Sequence, residues 1–136
     1  MIQIRNNAAL TTPIAFTTDA IVPFDTVDIS TNGNLSLDNN RIAVNNPGVY
    51  DALCQVAVKN TSSSAAAQAT LTAWADGKAI PGATVTATVA SGADDSLILH
   101  SAVRVVSASA GTAHIHWQLS GAVSLTNARA QVYMYR

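Results

Sequence analysis

Two histidines one residue apart, His114-x-His116, are the only pair in the chain with the spacing of metal ligands. On a strand, residues i and i+2 point to one face, so two imidazoles could chelate one ion. One imidazole from each of three chains around a symmetry axis could do the same. No carboxylate or cysteine close in sequence completes such a site, and two polar histidines bonded to neighbouring side chains are the simpler assignment. Neither a metal at His114 and His116 nor any other cofactor is therefore expected.

The remaining reactive residues form weaker patterns. Asp94-Asp95 could offer carboxylates to calcium, yet an Asp pair before a strand more often caps a turn. Asp25, Asp28 and Asp38 are too dispersed for a catalytic pair. No Gly-x-Ser-x-Gly elbow supports a hydrolase, and no catalytic residue is assigned. Cys54 alternates with Tyr50, Ala52 and Val56, which reads as a buried, inert thiol. Trp74 could stack on a sugar, although packing against a loop is the commoner use of such a residue. Asn60-Thr61-Ser62 matches a glycosylation acceptor, without a secretion signal to give it weight.

Composition narrows the classes further. The 136 residues are the length of one domain. Hydrophobic residues make up 49% and charged residues only 11%, against roughly 25% charged in an ordinary soluble domain. So little charge implies that copies of the chain cover part of its surface. A formal net charge of −1 removes the electrostatic basis for binding nucleic acid or an anionic membrane. No apolar run approaches the roughly 20 residues that span a bilayer, so no membrane insertion is expected. A single cysteine excludes an intrachain disulfide. The opening Met1-Ile2-Gln3-Ile4-Arg5 does not read as a secretory signal.

The elements that must position these residues are strands. Val and Thr favour pleated surfaces, Asn and Gly mark turns, and helical spacing is nearly absent. About ten strands are expected: 14–17, 21–27, 35–37, 41–44, 49–58, 69–75, 84–89, 96–106, 113–119 and 128–135. Pro23 confines the second to an edge. Turns are expected at Asn32-Gly33, at Asn45-Asn46-Pro47-Gly48, at Asp76-Gly77 and at Ile80-Pro81-Gly82. Tyr50, Ala52, Cys54, Val56 and Val58 should face the core, with Leu53 and Ala57 opposite and in need of a second cover. Ile115, Trp117 and Leu119 should point inward, opposite His114, His116 and Gln118. Likewise Ala130, Val132 and Met134 oppose Arg129, Gln131, Tyr133 and Tyr135. The chain reads as an all-β sandwich over 14–136, after an irregular segment, 1–13, that serves attachment or subunit contact.

Four strings in order carry a family resemblance: 21–27 (Ile-Val-Pro-Phe-Asp-Thr-Val), 42–50 (ending Pro47-Gly48-Val49-Tyr50), 75–82 (Asp76-Gly77 to Pro81-Gly82) and 128–135. In this order the chain resembles the jelly rolls of the tumour necrosis factor and complement globular-head superfamily. It looks most like the bacterial and bacteriophage branch, the heads of collagen-like spore proteins and small phage structural proteins. The resemblance implies a homotrimer in which one sheet of each subunit faces its neighbours. It also implies that 49–58, 113–119 and 128–135 share that sheet. The interface candidates are then Leu53, Ala57, His114, His116, Gln118, Arg129, Gln131, Tyr133 and Tyr135. On this basis Leu53→Asp should break the trimer or the fold, and acid should loosen the trimer by charging His116.

The expected role is a non-enzymatic part of a bacteriophage particle, a capsid decoration, head fibre or tail-associated knob at the virion surface. Its partners would be itself and other virion proteins. The alternative is a trimeric head for a host receptor or glycan, on a phage fibre or on a bacterial cell or spore surface. That head would bind through loops 61–66, 91–95 and 121–127.

Overall fold

Alternation of buried and exposed side chains runs through nearly every segment of the chain. The computed structural model describes residues 1–16, 19–31, 33–105 and 113–135. Among these it has β1 (Ile2–Arg5), α1 (Asn7–Thr11), β2 (Ile14–Phe16), β3 (Ala20–Ile21), β4 (Thr26–Ser30), β5 (Leu35–Asp38) and β6 (Arg41–Val44). There follow β7 (Gly48–Lys59), β8 (Ala67–Ala75), β9 (Lys78–Val89), β10 (Asp94–Val105), β11 (Ala113–Ser120) and β12 (Val123–Met134). Thr17, Asn32 and Val106, placed above in two strands and a turn, lie outside the described residues.

The strands form two antiparallel sheets. The first runs β10-β7-β12-β1-β4, with β2 also beside β12, and the second runs β5-β6-β11-β8-β9, with β3 also beside β11. The core fills the space between them. Tyr50, Ala52, Cys54, Val56 and Val58 of β7 are fully buried, as are Ile115, Trp117 and Leu119 of β11 and Val132 of β12. Trp117 meets Phe24 edge to face, 6.0 Å between centroids. The Tyr50 hydroxyl donates to the Asn46 carbonyl at 2.6 Å and accepts from Asn34 Nδ2 at 2.9 Å, so its polar tip is satisfied at the end of the core.

Four expectations are corrected. Residues 1–13 are not irregular. Ile2–Arg5 is a sheet strand between β12 and β4, with Ile2 and Ile4 in the core, and Asn6 caps α1 by accepting from Ala9 N at 2.8 Å. A four-residue alternation is simply too short to stand out in sequence. Ile80-Pro81-Gly82 is not a turn but a bulge within edge strand β9. Thr84 pairs with Thr72 and Ala79 with Trp74, leaving 80–83 opposite Ala73, with Gly82 at φ +78°. Of the expected loop 121–127, only Gly121 and Ala122 turn, and β12 begins at Val123. Most consequential, β11 lies in the second sheet, between β6 and β8, and not beside β7 and β12. The turn at Gly121 and Ala122 carries the chain from the second sheet to the first.

Candidate functional site: the outward face of the first sheet

The face of the first sheet turned away from the core is set by register. One row across it is His100, Leu53, Gln131, Gln3 and Ile29, and the next is Ile98, Gln55, Arg129 and Arg5. Exposed large apolar residues collect here. Ile98 is 57% exposed, Tyr135 55%, Val49 42%, Ile29 41%, Tyr133 37% and Leu53 36%. They are interspersed with Gln3, Gln55, Arg129 and Gln131 rather than joined in one patch. The outward face of the second sheet presents instead threonine pairs, Thr70 with Thr86 and Thr72 with Thr84, each with hydroxyls 3.1 Å apart.

Polar groups are built into the apolar face. Asp51 is 5% exposed although it points away from the core. His100 Nε2 donates to its Oδ1, and the Tyr133 hydroxyl donates to its Oδ2. The bond to Asp51 holds the Tyr133 phenol above its ordinary value, with burial and the Asp51 charge acting in the same direction. Tyr133 and Tyr135 rings lie 6.2 Å apart. Gln3 Nε2 donates to Gln131 Oε1 at 2.7 Å, and Arg5 Nε donates to Asp28 Oδ1 at 2.8 Å. Alternation along β7 and β10 sets Asp51 and His100 on this side of their strands, but nothing in their spacing announces that they converge. They sit on different strands 49 residues apart, and only the β7–β10 register brings them together.

Leu53, Ala57, Arg129, Gln131, Tyr133 and Tyr135 thus share the face expected of them, with Ala57 half-buried. His114, His116 and Gln118 do not. They lie on the outward face of the second sheet, because β11 pairs there. His114 Nε2 donates to Asp38 Oδ2 at 3.1 Å. His116 is 3% exposed, stacked on Trp74 with centroids 5.6 Å apart. The Gln118 amide accepts from His116 Nε2 at 3.2 Å and donates to Asp19 Oδ2 at 2.9 Å. Burial, reinforced by the charges of Arg41 and His114, pushes the His116 pKa down to about 4. Among the described residues no three of His, Cys, Asp or Glu gather where they could hold a metal.

The other sequence candidates also find places. Burial pushes the Cys54 thiol up, away from any reactive thiolate. Asn60 is 1% exposed and ties a loop, donating to the Ala65 and Val89 carbonyls at 2.8 and 3.0 Å, so its amide nitrogen is occupied. Asp95 accepts from Ser96 N at 2.8 Å at the start of β10.

Solved structures resemble this chain over nearly its whole length. Murine APRIL at pH 5.0 is similar at a TM-score of 0.64 and 11% identity, covering 98% of this chain and 98% of that one. Eiger TNF from S. frugiperda is similar at a TM-score of 0.70 and 11% identity, covering 99% of this chain and 91% of that one. The fold is a tumour-necrosis-factor-like jelly roll. No family model and no curated protein matches the sequence.

Proposed function

We propose that this jelly roll is a non-enzymatic homotrimer, assembled through the outward face of the first sheet, that serves as a structural head on a bacteriophage particle. One observation carries the self-association: six exposed large apolar residues lie on that face, while the second sheet turns threonines and paired histidines outward. Covering a Leu, Ile or Val side chain contributes about 1.5–3 kcal/mol, enough over several residues to hold subunits together. The low charge of the chain fits the same arrangement. The assignment to a virion, as capsid decoration, head fibre or tail knob, is supported by the sequence resemblance to small phage structural proteins. Mass spectrometry of gradient-purified particles should find the chain in stoichiometric amount. Its absence there, with presence on a bacterial cell or spore surface, would move the role to the alternative.

A second reading has its own support. Trp74, half-buried over His116 and flanked by the Thr72–Thr84 hydroxyl pair, gives the second sheet an aromatic, hydroxyl-rich outward surface. Such a surface suits a glycan or a receptor loop. Binding of labelled trimer to host cells that is lost in Trp74→Ala would favour it, and equal binding by both proteins would remove it.

A further inference from the structure

Between β7, β12 and β1 the outward face of the first sheet sinks into a concavity of about 470 Å³, lined by Gln3, Arg5, Leu53, Gln55, Arg129 and Gln131 with Asp28 at the rim. That volume lies within the range of small-molecule sites. Arg5 and Arg129 are direct cross-strand partners. Like charges opposed on a sheet repel, and only one of the two is neutralised. Arg5 spends Nε on Asp28 and one terminal nitrogen on Asn7 Oδ1 at 2.9 Å. Arg129 has no hydrogen-bond or ion-pair partner among the described residues, and neither has the Gln55 amide. Gln131 accepts from Gln3 through its oxygen, which leaves its own N–H groups unspent. The concavity therefore holds one uncompensated positive charge, a planar guanidinium fork and two amides with free donors.

We propose that this concavity binds a small organic acid, its carboxylate on Arg129 and the remaining Arg5 nitrogen, its body against Leu53 and the Gln55 and Gln131 amides. A guanidinium matches the two oxygens of a carboxylate bidentately, which a point cation does not. A second copy of the chain is a poor source of that carboxylate. All eight acidic residues are aspartates, and every one but Asp94 already has a partner. The site is lined by one chain but lies on the face assigned above to the trimer, so the acid would be held at or beside the subunit contact.

The experiment is thermal unfolding with succinate or citrate against sodium chloride at matched ionic strength, with inorganic phosphate as a second anion. The mass is followed by light scattering in each condition. The organic acids should raise Tm by roughly 5 °C at saturating concentration, and chloride should not. Arg129→Gln, an exposed substitution whose fold circular dichroism verifies, should abolish the rise, and Arg129→Lys should reduce it. No rise, a rise kept in Arg129→Gln, or an equal rise with phosphate would overturn the proposal. So would a fall to the mass of one chain in Asp94→Asn, which would give the carboxylate on Arg129 to a second copy of the chain. A monomer that still shows the Arg129-dependent rise would keep the acid site and defeat the trimer.

Discussion

His116 shows how far a side chain can be judged before its strand is placed. Its neighbours in sequence fixed its face, away from Ile115 and Trp117, but not the sheet that face belongs to. Beneath Trp74 it is neutral, with a pKa near 4, where the unfolded chain titrates near its ordinary 6.5. Between those values the unfolded state binds a proton that the folded state refuses. Stability from this group is therefore fully present above about pH 6.5 and falls as the pH drops towards 4. Tm should decline from pH 7 to 5 in the wild type, and His116→Gln should flatten that decline. An identical slope in both proteins would show that His116 is not its source. The expected loosening of a subunit contact by His116 is withdrawn, because that residue is on the second sheet. The histidine on the outward face of the first sheet is His100, bonded to Asp51, and no spacing rule could have paired residues from two strands.

Strands with long alternation were legible because a one-residue slip would expose their whole apolar set. β7, β10 and β11 have the faces their residues dictate, with Leu97, Leu99, Val103 and Val105 buried in β10. What adjoins what was not legible, since pairing is decided by the sandwich as a whole. The short turn between β11 and β12 illustrates this. Gly121 there has φ +135°, and a Cβ would lie 2.3 Å from the Gln68 carbonyl oxygen. Only glycine lets the chain pass so close to β8 while changing sheets. Gly121→Ala should cost about 2 kcal/mol or more in denaturant unfolding. Gly77→Ala, with nothing within 4 Å of its added Cβ, isolates the cost of the positive φ alone and should cost less. Equal losses would mean that the close approach to Gln68 carries no energy.

The molecule as a whole presents two unlike faces. The first sheet turns exposed large apolar side chains outward among most of the chain's charged residues, whereas the second turns out threonines. Ile98 is on the outward face of the first sheet, 57% exposed and outside the concavity, so Ile98→Asp should fold and remain monomeric. A carboxylate forced into a dry contact costs several kcal/mol, on the order of a hundredfold or more in assembly. Circular dichroism would register the intact sheets and light scattering the lost association. Trp74→Ala, on the opposite sheet, should leave the assembly as it is. The most direct measurement is the solution mass of the wild-type chain by light scattering after size exclusion. Association through the first sheet predicts three times 14.0 kDa, whereas a mass of one chain at micromolar concentration would contradict it.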